Sequence, residues 1–490
     1  MMTRALLMSL CTLAALPMDA GSDASPDAPV VPELAVAQDT ATRKSTSADR
    51  ESVTLTVYNQ NFGLVREVRA LELGRGVLGL EFADVASSIQ PETVHIRSLT
   101  GDGRLSVLEQ NYQYDLLNPQ KLLEKYVGRT VKVHVWNEKE EREEVLEAEV
   151  LSVNGGPILR IGDEITYNVP GRLSFPEVPK DLIASPSLVW LLDSRADRQR
   201  IEASYLTGGL NWKADYVMVL DEDDEGAGIT GWVTLTNQSG AGYENATLKL
   251  VAGDVQRVGA GVARPDAMQM REMEAADAAG FNEEAFFEYH LYTLGRPTTV
   301  RQNEQKQVTL LESPDFEIDK RLIFYGAAQY YRGSYGQVVS NQKVGVYLDF
   351  ENAHDNGLGM PLPAGIVRVY KRDASGGQQF IGEDRIDHTP RDEEIRIKMG
   401  ESFDVVGDRR QMDYDVLGSC VSESSWEINL RNHKDDASVI EVMEPVGGDW
   451  EILSSSHRAQ KLDAHTFKFN VEIPARGAEK VTYRVRVRWC

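Results

Sequence analysis

Four times in this 490-residue chain a run of alternating apolar and β-branched residues ends at an asparagine and breaks into a polar turn. The four are LTVYNQN at Asn59, VTLTNQSG at Asn237, YLDFENAHDNG at Asn352 and EINLRNHKDD at Asn432. Alternation with a period of two describes a strand with one dry and one wet face. Asparagine suits the end of such a strand, because its short amide reaches backbone groups two residues on and replaces a lost ladder bond. A chain that repeats this unit must build its core from sheets. The expectation is an all-β protein of several Ig-like β-sandwich units. The spacing of the four is irregular, so neither a propeller nor a solenoid follows.

Departures from strand patterning divide the chain. Residues 1–22 carry one arginine, the apolar run ALLMSLCTLAAL and then small residues, the plan of a secretory signal peptide. The run is too short to span a bilayer. Residues 23–50 are rich in Pro, Ala, Ser, Asp and Thr without periodicity and read as a disordered tether. Residues 51–118 read as an N-terminal β-sandwich unit. Within 119–180, TVKVHVW, VLEAEVLSV, PILRIG and EITYNVPG are short strands in close succession, which either close a small SH3-like barrel or extend a neighbouring sheet. The one helix expected there starts at NPQKLLEKYVG, with Asn118 as cap, Pro119 in the first turn and Gly128 as stop. Residues 187–263 read as a second β-sandwich, and 291–490 as a C-terminal β-sandwich region. Between them 264–290, RPDAMQMREMEAADAAGFNEEAFFEYH, is nearly free of β-branched residues and reads as a linker or a helical insertion.

Charge narrows the partners. The net charge of −24 repels nucleic acid phosphates and anionic lipid, so no nucleic acid partner is expected. No segment reaches the length of a membrane span. Three cysteines are present, and Cys11 lies in the leader. Cys420 and Cys490 remain for one disulfide in an oxidising compartment, or for two free thiols.

Motifs that suggest chemistry mostly resolve into turns. DEDDEG places Asp221, Asp223, Glu225 and Gly226 as in a calcium loop, but the twelfth position is Trp232 instead of a bidentate glutamate. Strand patterns flank it, so it reads as a hairpin tip with Trp212 and Trp232 on the two strands it joins, Trp212 in the core. Trimming the tip is then expected to be mild. GRGVLG and GAGITG run into strands, where a dinucleotide site needs a helix. The eight histidines show no zinc spacing. No cofactor or metal site is expected. FYGAAQYYRGSYGQ offers Tyr325, Tyr330, Tyr331, Arg332 and Tyr335 among small residues, a candidate surface for sugar or protein. The alternative is a strand and turn with half-buried tyrosines.

GGLNWKADYVMVLDEDDEGAGITGWVTLTNQSGAGYENATLKLVAGDV, EYHLYTLGRPTTVRQNEQKQVTLL, PLPAGIVRVYKRD and the closing IPARGAEKVTYRVRVRW together resemble the bacterial domain-of-unknown-function family 4139, which is similar to proteins labelled mucoidy inhibitor. The resemblance covers residues 187–489, and 53–179 looks like the N-terminal part of its secreted members. It implies a β-rich secreted or envelope protein, and the label points to exopolysaccharide. It brings no catalytic residue. The expected function is therefore an exported cell-envelope protein, periplasmic or secreted, that binds protein or polysaccharide rather than catalyses. The alternative is a secreted hydrolase whose carboxylates converge from several strands.

Overall fold

A computed structural model describes residues 42–490 apart from 102–103, 139, 168, 180 and 258–280. The class is all-β. Among the described residues there is one α-helix, Pro119–Lys125, and the rest of the regular structure is strand and short 3-10 turn. That helix starts as the sequence predicts: Asn118 Oδ1 accepts from Lys121 N at 2.9 Å, and Gly128 follows with φ 78°. The leader and the start of the tether lie outside the described residues. The tether's last residues do not. Thr42–Ser45 is a strand paired parallel with Gly76–Ala83, and Ser45 is fully buried. The pattern was too short to register as a strand, and its partner supplies the order.

Three hairpins organise the molecule. They are Arg50–Tyr58 with Phe62–Glu72, Leu210–Leu220 with Gly226–Asn237, and Asp319–Tyr325 with Gln337–Glu351. The first strand of each takes a late parallel neighbour. Tyr243–Ala252 lies beside Arg50–Tyr58, Gly365–Arg372 beside Leu210–Leu220, and Ser438–Pro445 beside Asp319–Tyr325. A parallel neighbour needs a long crossover. Here the first two crossovers contain the whole next hairpin, so Tyr243–Ala252 is reached only after the second hairpin, and Gly365–Arg372 only after the third. The units interlock.

This overturns the division into separate sandwiches at 51–118, 187–263 and 291–490. Arg50–Tyr58, Phe62–Glu72 and His95–Ser98 share one eight-stranded sheet with Arg198–Gly208, Tyr243–Ala252 and three strands between Phe281 and Val300, and a single core runs from Val53 to Ile397. Local patterning cannot reveal which sheet a strand joins, because a wet-and-dry alternation looks the same in each. The tract read as a linker or helix also ends differently. Its last residues form a hairpin, Phe281–Phe286 with Tyr289–Leu294, on the edge of that sheet. Residues 264–280 lie outside the described residues.

Nine strands between Asp319 and Arg488 form one sheet that rolls until Thr466–Ile473 faces Ala478–Arg488, while Glu304–Glu317, Gly365–Arg372 and Gln378–Ile386 join the sheet of the second hairpin. Phe467 and Phe469 meet Tyr483 across the core, with ring centres 5.6 and 5.4 Å apart. Residues 119–175 stand apart as a five-stranded antiparallel sheet around its own small core of Tyr126, Val131, Val133, Ala148, Val150 and Leu159.

Candidate functional site

The tyrosine segment is not one platform. Tyr331 is fully buried, and its hydroxyl donates to Glu444 Oε2 at 2.6 Å and lies 2.9 Å from the Tyr483 hydroxyl. Glu444 also takes Arg409 Nη1 at 2.6 Å, and neither partner of that ion pair is exposed. Arg409 Nε and Nη2 have no hydrogen-bond partner, but the guanidinium lies 5.2 Å from the Phe324 ring centre and 5.5 Å from that of Tyr330. Tyr330 and Tyr331 therefore seal a buried charge. The sealing is tight, since a Cβ on Gly326 would come within 2.4 Å of Glu444. Arg332 lies over the Trp489 ring at 5.0 Å, and Tyr335 packs edge-on to Tyr330. Only Tyr325 leaves this group to join a different surface. Its ring meets Tyr347 edge-on, 6.1 Å away.

That surface leads into a cleft the sequence did not disclose. The cleft encloses about 990 Å³ where the second and third interlocked units meet. Phe316, Ile318 and Phe350 form its apolar floor, and nine carboxylates line it against one guanidinium, Arg321. Three of those carboxylates, Asp315, Glu317 and Asp319, come from one stretch of chain, and three more, Asp392, Glu393 and Glu394, from another. Arg321 lies 2.8 Å from Asp349, which Arg396 also holds through two bonds of 2.7 and 2.6 Å. Arg321 is paired in register with Tyr347, so the acidic cleft and the two tyrosines form one surface. Each carboxylate was visible in the sequence. Their convergence was not, because the two stretches are more than seventy residues apart.

Among the described residues no three His, Cys, Asp or Glu side chains are arranged to hold a metal ion. The DEDDEG stretch is a hairpin tip, closed by Asp221 N donating to Gly226 O at 3.0 Å. It does more than stay wet. Asp224 bridges Lys320 and Lys371 at 2.5 Å each. Trp212 is buried and its indole donates to Val251 O at 3.1 Å, while Trp232 is half-buried on the partner strand. Cys420 and Cys490 form a disulfide, with Cα atoms 5.7 Å apart.

The carboxylates whose pKa is displaced go down. At Asp215 burial pushes upward, but Lys213 and Arg368 outweigh it. At Asp224 burial is outweighed by Lys320 and Lys371. At Asp408 the Arg431 guanidinium prevails over burial. These groups hold their charge, the opposite of what a general acid at neutral pH requires. Comparison of the chain with protein-family models finds no match, and comparison with curated proteins finds no similar chain.

Proposed function

We propose that this chain is an exported cell-envelope protein that binds a basic segment of a protein partner in the acidic cleft and on the adjoining tyrosines. The continuity of the cleft with Tyr325 and Tyr347 through Arg321 carries this reading. Lysine and arginine side chains are recognised by carboxylates together with aromatic faces, and this surface supplies both. Export is supported by the leader pattern and by the Cys420–Cys490 disulfide, which belongs to an oxidising compartment. The resemblance of the sequence to the domain-of-unknown-function family 4139 points the same way.

The test is fluorescence anisotropy with labelled octalysine. Binding is expected to weaken steeply with salt. Replacing Glu317, Glu351 and Glu393 together by Gln should lower affinity about tenfold or more. A control triple, Glu138, Glu140 and Glu141 to Gln between the strands Thr130–Asn137 and Arg142–Ser152, removes equal charge and should leave affinity almost unchanged. Equal losses in the two triples would reduce the binding to net charge and defeat the reading.

A further inference from the structure

A second cleft, of about 810 Å³, opens where the parallel strands Arg50–Tyr58 and Tyr243–Ala252 diverge. Their pairing begins only at Thr54 and Thr247, so the chain before those residues leaves a gap between the two edges. Arg50 lines this gap, and its side chain is only 8% exposed.

The charges around Arg50 do not balance. Glu67 is fully buried and spends both oxygens on guanidinium groups, Oε2 on Arg50 Nε at 2.6 Å and Oε1 on Arg69 Nη2 at 3.1 Å. One carboxylate thus serves two cations. Arg69 has further support, from Ser45 Oγ at 3.2 Å, Ala83 O at 2.8 Å and the Phe82 ring at 3.4 Å. Arg50 has none. Among the described residues nothing accepts from its Nη1 and Nη2. The nearby carboxylates are engaged elsewhere, Glu51 with Arg200 at 2.7 Å and Asp84 with the amide and hydroxyl of Ser47 at 3.0 Å each. A guanidinium bound only through Nε keeps its end-on edge free, and two parallel N–H bonds there match the two oxygens of a carboxylate. A buried cation left half-paired is costly, and an anion in the cleft would relieve it.

The rest of the lining selects among anions. Glu51, Asp84 and Glu244 border the cleft against Arg50 and the exposed Arg301, which itself lies 3.5 Å from Glu304, so the lining stays net negative and disfavours a dianion such as phosphate. The lining also offers hydroxyls from Ser52, Ser185, Thr247 and Thr299, and the amides of Asn245 and Gln302. We propose that this cleft binds the carboxylate of a monoanionic, hydroxyl-bearing ligand, a sugar acid of the uronate type, with Arg50 as the carboxylate anchor. This site is separate from the lysine-binding surface and stands or falls independently of it.

Titration calorimetry on the full chain tests it with three probes: D-glucuronate, its neutral amide glucuronamide, and acetate. Glucuronate is expected to bind, with glucuronamide and acetate each about tenfold weaker or more. No heat with glucuronate, or equal affinity for the amide, overturns the carboxylate assignment. Acetate binding as tightly as glucuronate overturns the sugar. Arg50→Lys keeps the charge but loses the end-on edge, and should cost about tenfold in affinity in the folded variant. Unaltered affinity in that variant overturns the role of Arg50. Should the variant fail to fold, the comparison of acid and amide on the wild-type chain still decides.

Discussion

Three of the four asparagines that punctuate the strands are buried staples. Asn237 donates to Ala241 O at 2.8 Å and Arg301 O at 3.0 Å, and accepts from Ser239 N at 3.1 Å. Asn352 donates to Met360 O and Pro390 O, both at 2.9 Å. Asn432 donates to Asp436 O at 2.8 Å and accepts from Lys434 N at 3.0 Å. Each joins its own turn to a distant loop, and each precedes the parallel strand that completes a unit. Asn59 shares the sequence pattern but not the role, since its Oδ1 is buried without a partner. Alanine at 237, 352 or 432 orphans at least two buried backbone groups and should cost about 2 kcal/mol or more apiece, at about 1–3 kcal/mol per lost partner. Asn59→Ala should cost less than about 0.5 kcal/mol. Urea midpoints of the four variants check the ranking.

At the scale of the element, the acidic hairpin tip is a clamp. Its Asp224 meets Lys320 on the third hairpin and Lys371 on the late strand of the second unit. Trimming the tip to Asn-Gly would also remove this tie between units. Asp224→Asn should cost about 1 kcal/mol at neutral pH, the lysines being a third exposed and partly screened. The folded pKa is depressed, so this stabilisation is complete above the unfolded value of about 3.9. It is lost as pH falls through the lower folded value. Urea midpoints of wild type and variant should differ at pH 7 and converge well below pH 4. The last strand, Ala478–Arg488, is anchored by the disulfide, which spans 70 residues. Replacing Cys420 and Cys490 by Ala should lower stability by roughly 4 kcal/mol on the chain-entropy model. Thiol titration of the denatured, unreduced chain should find neither cysteine free.

For the whole molecule, interlocking means that no unit can be completed before the next has begun. A fragment ending at residue 318 lacks Gly365–Arg372, so its second hairpin loses its parallel neighbour and leaves buried edges open. That fragment should not fold, whereas the five-stranded sheet of residues 119–175 should be removable. Its entry and exit run side by side, with Leu117 N donating to Ile183 O at 2.9 Å and Ile183 N to Asp115 O at 3.2 Å, and its core is its own. Joining residue 117 to 182 through a short Gly-Ser link should preserve the cooperative unfolding of the remainder. Circular dichroism with thermal melting checks both outcomes.

The sequence alone determined what short-range physics controls. Period-two alternation specified the strands. Asn118, Pro119 and Gly128 specified the single helix among the described residues, and the strands flanking DEDDEG showed a turn where a calcium loop was conceivable. Each of these depends on a few neighbouring residues. Tertiary structure alone decided which sheet each hairpin joined, because the parallel partners of the three hairpins lie more than a hundred residues away and strands offer similar wet and dry faces. It decided the surfaces as well. FYGAAQYYRGSYGQ looked like a platform, yet four of its five candidate side chains cover buried charge or pack on rings away from the cleft, and only Tyr325 packs on Tyr347, the register partner of the cleft residue Arg321. Arg50 was one cation among 52, sited in what read as a tether. Its half-paired state arises because Glu67 must answer two guanidinium groups at once, and only folding brings those three side chains together.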